Sequence, residues 1–576
     1  MTSSSTRGSV READVTIVGA GPAGLSIANL LGLRGVSVNL VEALPELINY
    51  PRGVGIDDES LRSIQTMGLI QDVLPHTTPN HVMHLVNGRG RILAAIAPAA
   101  DEFGWSRRNA FVQPAVDREL LKGLERFPHV QVHFAHEAER IDDQADHVDL
   151  HVRAGDEVVI FRSRYLVGAD GGRSFTRKHM GVAFDGQSPS TRWIVIDMED
   201  DPLGLPNVWV GGDPKRPYVS LALPHGLRRF EFMLFDKEDE KLAEDDAFIA
   251  RLLAAHVPDP SKASIIRRRV YTHHSRIASS FRAGRCFIAG DAAHLMPVWQ
   301  GQGWNSGMRD STNLAWKLSA VVLGEADDAL LDTYTVERQP HAKAMIGISV
   351  AFGRFVRPTN RAVVLLRDVA ARLLGAVPAV KQYFVQMKYK PMPRYTRGVV
   401  VDPIDATPGE ARARLEGKKL LTSYRHFRDV PSPVGTQFIQ PRVRTVDGAE
   451  HRLDDVIGYR WAVLAWGSNP LAHLDEAQRA KLERLGAAII WLRPATQLVD
   501  DAPGAQVLGD VDGRIKKWFD TRPTAALILR PDRFIAAAGT VQELGRMLDA
   551  TIAAGHLRVE TQETDAATAE QEVSRA

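Results

Sequence analysis

The stretch Asp14–Ala43, DVTIVGAGPAGLSIANLLGLRGVSVNLVEA, constrains the fold of this chain most. It divides into an apolar run, DVTIV, a glycine turn, GAGPAG, a helical SIANLLGL closed by Gly35, and a second apolar run, VSVNLVE. Strand, helix and strand in that order predict a βαβ unit, because parallel neighbours need a long crossover connection. The turn carries GxGxxG at Gly19, Gly21 and Gly24. The first glycine permits a tight turn, the second lets backbone N–H groups approach a pyrophosphate, and the third lets the helix pack close to the strand. The helix N-terminus adds partial positive charge there. Glu42 ends the second strand, 23 residues past Gly19. That is the spacing of an acid that holds a ribose hydroxyl. The motif serves NAD and FAD alike; its place near the start of a long chain favours FAD. Val15–Leu33 is uncharged and long enough to span a membrane. Four glycines and a proline interrupt it, so a soluble βαβ unit is the reading adopted.

A chain of 576 residues exceeds one hydrophobic core, so roughly two to four domains are expected. The balance of 71 basic and 70 acidic residues favours neither nucleic acid nor an anionic membrane as partner. Cys286 is the sole cysteine, which excludes an intramolecular disulfide, CxxC redox chemistry and a multi-cysteine metal site. A large chain with one cysteine fits a reducing cytoplasm. The polar N-terminus has no apolar signal core.

Two further strand-to-turn motifs follow. Tyr165–Lys178 reads YLVGADGGRSFTRK, with Asp170-Gly171 at the turn. Residues 284–310 read GRCFIAGDAAHLMPVWQGQGWNSGMRD, with Asp291 at the end of the strand CFIAG. Ligands of open α/β sheets bind just beyond such strand ends. From Trp304 onward, Met308, Ala315, Leu318 and Val322 mark the apolar face of a helix that ends at Gly324. The segment also offers Asp, His and Trp side chains, and hydrolytic, metal and cofactor readings all start from them. The chain has neither GxSxG nor HExxH. His294 is therefore read as a satisfied loop histidine. Trp299 and Trp304 are open between core packing and ligand contact. Asp57 and Asp58 precede a helical ESLRSIQTMGL and are read first as helix N-caps. Arg267, Arg268 and Arg269 are read as a solvated strand end, and Cys286 as a buried, inert thiol.

GAGPAG, VGADGGRS and AGDAAHLMPVWQGQGWNSGMRDSTNLAWKL, in that order, resemble the class A FAD-dependent aromatic hydroxylases, over most of residues 12–400. Tyr50–Arg62 (YPRGVGIDDESLR), the GD stretch and Tyr389–Tyr395 (YKPMPRY) are most similar to the branch that hydroxylates 3-(3-hydroxyphenyl)propionate and 3-hydroxycinnamate. The resemblance implies that Gly19, Gly21, Gly24 and Glu42 hold the ADP half of FAD. It places Arg52 on the flavin side and Gln113 near the ribityl and phosphate part. Asp170 serves FAD and the nicotinamide donor. Gly290 and Asp291 take the ribityl chain, and Pro297, Gly301, Gly303, Trp304 and Asn305 run beside the isoalloxazine. The helix dipole at GQGWNSG suits the negative edge of reduced flavin.

The implied reaction consumes NAD(P)H, with NADH the expected donor, and O₂, and places a hydroxyl ortho to a phenol hydroxyl to give a 2,3-dihydroxy acid. Asp57, Asp58 and His225 are the candidates for a base. Arg192 and His225 are the candidates for the substrate carboxylate, and Trp304 for a further substrate contact; no metal is expected. The expected partner is a small aromatic molecule, with a homodimer in view and neither nucleic acid nor membrane. Two other functions fit the same motifs: a tailoring hydroxylase of a larger polycyclic or polyketide phenol, and a flavin-binding sensor or scaffold without turnover.

The expected fold class is α/β. Residues 12–80, 106–185 and 270–345 form a discontinuous Rossmann-like FAD-binding domain. Residues 81–105 and 186–269 form an inserted antiparallel substrate-domain sheet, and 346–402 a helical connector. Residues 403–560 read as a thioredoxin-like domain without CxxC. Residues 1–11 and 561–576 are expected to be disordered.

Overall fold

The computed structural model describes residues 9–188, 191–401, 432–498 and 502–559. The expected disorder of 561–576, and the first part of the 403–560 domain up to residue 431, lie outside them. The chain divides into two compact units. One runs to Ser319 and includes Tyr334–Met392; the other comprises Ala320–Thr333 and the residues from Pro393 onward.

The first unit is built on a parallel sheet. Val38–Val41 is buried at every position, as a strand covered on both faces must be. Val10–Val18 lies between Val38–Val41 and Glu157–Gly168, and Glu157–Gly168 pairs in turn with Cys286–Ile288, all parallel. The register aligns their C-terminal ends: Val18 opposes Val41 and Gly168, and Gly168 opposes Ile288. The three sequence motifs therefore emerge along one sheet edge. Val10 and Arg11, expected in a disordered N-terminus, instead extend the first strand and pair with Ile160 and Phe161. The helix Pro22–Gly32 is almost wholly buried, and its Gly32 is needed because a Cβ there would fall 2.5 Å from the Phe127 ring.

A second sheet has seven strands, ordered Ser264–Thr272, Arg192–Glu199, Arg228–Leu234, Tyr218–Ala222, Val208–Gly212, Met83–Asn87 and Ile92–Ile96. Met83–Asn87 and Ile92–Ile96 join it at one edge, beside Val208–Gly212. The sheet is not purely antiparallel, because Val208–Gly212 and Met83–Asn87 run parallel. One face packs on Phe248, Ile249, Leu252 and Leu253. The other joins Met83, Leu221 and Trp193 to Val112, Ala115 and Trp299 of the flavin-domain segments. Helices Thr333–Val356, Arg361–Gly375 and Pro378–Val385 follow.

The second unit holds a mixed sheet ordered Glu450–Arg452, Arg442–Arg444, Gln506–Asp510, Ala488–Pro494, Ala462–Trp466, Ala526–Leu529 and Ile535–Gly539. The middle three are parallel and the last two form an antiparallel hairpin. Helices Glu476–Arg484, Arg514–Asp520 and Leu544–Ala554 accompany it, and its core includes Leu464, Ile490, Leu508 and Leu527. Among the described residues, no helix is long and apolar enough to cross a membrane.

Candidate active site

The glycine turn has three distinct geometries. Gly19 has φ +104°, and a Cβ there would sit 2.5 Å from the Ala169 carbonyl oxygen. A Cβ on Gly24 would fall 2.0 Å from the Gly19 oxygen, so helix and turn meet backbone to backbone. A Cβ on Gly21 would meet nothing within 4 Å, so the second glycine faces open space at the N-terminus of the helix Pro22–Gly32. Glu42 closes the turn from the next strand, where its carboxylate accepts from Ala20 N–H at 2.8 Å and Leu44 N–H at 2.9 Å.

Asp170 and Asp291 emerge from neighbouring strands but are used differently. Both Asp170 oxygens are taken by its own turn, accepting from Ser174 Oγ at 2.5 Å and from Thr176 N–H at 2.9 Å. Asp291 stays partly exposed and pairs with Arg52 at 3.0 Å. Arg177 ties the two turns together by donating to the carbonyls of Ala292 and Gly172 at 2.8 and 2.9 Å. His294 is buried, and its partner is Asp310 at 2.7 Å. Burial alone would raise the Asp310 carboxyl, but the nearby His294 and Arg338 hold it below its usual range. Gly290 N–H also donates to Asp310, so this carboxylate braces the GD turn from beneath. Cys286 is buried beside Asp143, with His179 within reach; burial pushes the thiol up and keeps it protonated.

The segment after Pro297 makes a short helical turn at Val298–Gln300, and Gly301 then takes a left-handed φ of +62° that launches the helix Gln302–Val322. A Cβ on Gly303 would meet only the Met296 side chain, at 3.9 Å. Asn305 is fully used by the protein. Its amide donates to the carbonyls of Gly55 and Gly301, and its oxygen accepts from Asp57 N–H and Ser60 Oγ. Gln113 likewise accepts from Gly53 N–H at 2.6 Å and donates to Asp117 at 3.0 Å. Trp304 meets Phe111 edge-on with centroids 5.0 Å apart. Its indole N–H lies near Asp117, short of hydrogen-bond geometry, so Nε1 and Asp117 Oδ1 are both sealed and unpartnered. Burial pushes the Asp117 carboxyl up to about 7, against the opposing pull of Gln113 and Trp304. Neither Asp117 nor its titration was anticipated from the sequence. Trp299 is core, packed against Trp193 at 4.8 Å.

Asp57 caps the helix Asp58–Thr66, as expected, by accepting from Ser60 N–H. It also belongs to a buried ion cluster. Arg309 pairs with Asp57 and Glu59, and Lys390 Nζ lies 2.9 Å from Asp57 and 3.2 Å from Glu59. Burial opposes ionisation of Asp57 and Glu59, but Arg309 and Lys390 outweigh it and lower both carboxyls. Asp58 faces Arg107 at 3.3 Å, and there burial prevails, pushing the carboxyl up to about 7. The three stretches that carry the branch resemblance thus meet in one place.

The substrate-side candidates are placed elsewhere. Arg192 donates to the Glu238 carbonyl at 2.7 Å and lies 3.7 Å from Glu240. His225 is exposed, with a left-handed φ of 62°, and contacts His76 at 2.9 Å. Arg267, expected to be solvated, lies 3.8 Å over the Tyr50 ring and donates to the Pro51 carbonyl. Arg229, paired with Asp197, donates to the same carbonyl. The sheet thereby grips the loop that carries Arg52. The signal for this was Asp and Arg at inward positions of otherwise apolar strands.

A sheet edge that gathers a glycine cradle, two aspartate turns and a glycine-opened helix defines a dinucleotide-binding oxidoreductase. Residues 12–349 match the family model described as FAD binding domain, and residues 435–554 match one described as HcaD C-terminal domain. The chain is 50% identical over 548 residues to a 3-(3-hydroxy-phenyl)propionate/3-hydroxycinnamic acid hydroxylase of Mycolicibacterium smegmatis, covering 95% of this chain and 94% of that one. It is 48% identical over 558 residues to a protein of the same name from Paraburkholderia xenovorans, covering 92% and 89%. Its fold is like that of the flavin-dependent monooxygenase PieE in complex with FAD and substrate (TM-score 0.77, 22% identity, 95% and 99% covered). It is also like aklavinone-11 hydroxylase with FAD and aklavinone (TM-score 0.72, 24% identity, 94% and 99% covered). The chain belongs to the FAD-dependent aromatic hydroxylases, and it is a flavoprotein monooxygenase. The residues present fit FAD, because Gly21 leaves the backbone approach that a pyrophosphate needs open while Gly19 and Gly24 leave no room for side chains.

Proposed function

We propose that this chain uses NADH and O₂ to hydroxylate 3-(3-hydroxyphenyl)propionate, 3-hydroxycinnamate or both, ortho to the phenol hydroxyl, giving the 2,3-dihydroxy acid in aromatic catabolism. The observation that carries this reading is the near-complete coverage at 50% identity to the hydroxylase of that name. Bound FAD supplies the redox and oxygen-activating chemistry. The protein supplies position, electrostatics and a dry site.

In this reading the N–H groups around Gly19, Gly21 and Gly24, with Glu42, hold the ADP half. Arg52, Gln113, Asp170, Gly290 and Asp291 line the path toward the flavin. Pro297, Gly301, Gly303, Trp304 and Asn305 shape the loop beside the ring. Asn305 and Gln113 act by fixing that loop and the 53–57 segment against one another, as their hydrogen bonds support. The apolar cluster of Val54, Val112, Leu221 and Trp299 supplies surfaces for an aromatic ring. The second unit is a thioredoxin-like module; parallel neighbours at Ala462–Trp466 and Ala488–Pro494 beside an antiparallel hairpin support this. Lacking CxxC, it has a structural or dimer-forming role, and the enzyme works in the cytoplasm.

The test is NADH oxidation by the purified yellow protein, with product identification. Stimulation by the phenolic acid and recovery of the 2,3-dihydroxy product are expected. Colourless protein that cannot be reconstituted with FAD, or oxidation indifferent to phenolic acids, would end this reading.

A further inference from the structure

Arg108 is half-buried and, among the described residues, its guanidinium has no counter-charge. Its Nε is sealed from solvent and has no hydrogen-bond partner. Among the described residues, its side chain takes part in no ion pair. Its chain neighbour Arg107 shows the usual solution, pairing with Asp58 and Glu102. Tyr389 is the group that acts on the Arg108 guanidinium, and the guanidinium in turn acts on His81, which is itself buried. His81 brings no negative charge: burial first, then Arg108 itself, holds its imidazole down to about 3, so it stays neutral. The backbone fixes this pair, since His81 N–H donates to the Arg108 carbonyl at 2.9 Å.

The alternate residues that follow Arg108 along the chain are apolar. Ala110 and Val112, two and four residues further on, belong to the cluster beneath the seven-stranded sheet, as does Met83, two residues past His81, and Tyr389 packs against it. A guanidinium held against such a surface without an anion is costly, and that cost is removed when a carboxylate arrives. Arginine suits the task because its planar fork binds a carboxylate through two parallel N–H···O bonds.

We propose that Arg108 is the carboxylate subsite of the substrate site, taking the side-chain carboxylate of a phenolic acid whose ring lies against the apolar cluster. The assignment rests on the phenolic-acid reading above. It supersedes Arg192, which already serves Glu238 and Glu240, and His225, which is exposed beside His76. Arg108 here selects substrate; it holds no reacting atom.

The experiment uses FAD-loaded wild-type enzyme, Arg108→Met and Arg108→Lys. Affinity is read from the flavin absorbance change on titration with 3-(3-hydroxyphenyl)propionate and, separately, with its uncharged amide. Arg108→Met is expected to weaken the acid by about 100-fold, the loss of a charge-assisted pair, while the amide changes by less than about threefold. Arg108→Lys, keeping a point charge without the fork, should lose about tenfold for the acid alone. If Arg108→Met does not retain FAD, the Lys variant decides by the same acid-against-amide contrast. Unchanged acid affinity, or equal loss for acid and amide, overturns the subsite. A wild-type enzyme that responds to no phenolic acid removes the function reading as well; a responsive wild type with an unaffected variant removes Arg108 alone.

Discussion

The glycine cradle at Gly19–Gly24 and the ion cluster around Asp57–Glu59 lie in the same unit and solve opposite problems. The cradle is made of backbone and works by what is missing: no Cβ fits at Gly19 or Gly24, and nothing stands over Gly21. The cluster is made of charge and works by what is present. Three adjacent carboxyl groups are buried; Arg309 and Lys390 hold Asp57 and Glu59 ionised, while Arg107 faces Asp58, where burial prevails. The cradle's outer glycines lie five residues apart; Asp57 and Lys390 are separated by 333. A local device tolerates distant change, whereas a compensated cluster fails when any one partner is lost.

The largest expected effect comes from filling the cradle. Gly24→Val puts a side chain 2.0 Å from the Gly19 oxygen, so helix and turn must part; protein purified without flavin is the expected outcome, and a normal flavin content would break the comparison. Next is Arg309→Met, which leaves Asp57 and Glu59 with Lys390 alone and should cost about 3–5 kcal/mol in denaturant unfolding. A loss below about 1 kcal/mol would mean that the cluster is not held by charge pairing.

Asp117 sharpens the contrast through pH. Its folded-state carboxyl is pushed up to about 7 by burial, well above the usual value of 3.8. The folded state therefore binds this proton more tightly than the unfolded chain. The resulting stability is fully present below about pH 4 and is lost as pH rises through about 7. Asp117→Asn should remove that slope and raise stability at pH 8 by up to about 3 kcal/mol, measured on the flavin-free protein by thermal unfolding across pH. A slope identical to that of the wild type would sink the assignment.

Gly21→Ala separates fold from ligand. The added methyl meets no protein atom, so stability should change by less than about 1 kcal/mol while FAD affinity falls roughly tenfold, read by flavin fluorescence. The smallest effect belongs to Arg52→Ala: its pair with Asp291 is solvent-exposed, and the stability change should stay below about 1 kcal/mol. A larger loss would place this pair with the buried cluster.

How far the sequence could be read follows the same division. Strand, turn and helix around Gly19 were legible because apolar period and glycine spacing are local properties. The helix N-cap at Asp57 and the helix end at Gly324 were legible for the same reason. Within the Arg267–Arg269 run, Arg269 is exposed as expected, but Arg267 is not, because its charge was visible while the loop carbonyl and the Tyr50 ring that receive it were not. Gln113 and Asn305 were singled out for cofactor contact, yet their hydrogen bonds in the protein brace the 53–57 segment. Asp117, Arg309 and Arg108 gave no signal, since a charged residue in a sequence carries no mark of burial.

The sequence by itself determined the βαβ cradle, the two aspartate turns and the sheet that follows, because strand period, helix period and left-handed φ depend on neighbours a few residues away. Only the tertiary structure decided that four strand ends share one register. It alone brought Asp57, Arg309 and Lys390 together and left Arg108 without a counter-ion. Those outcomes depend on desolvation and charge compensation between segments hundreds of residues apart, and burial is a property of the folded chain.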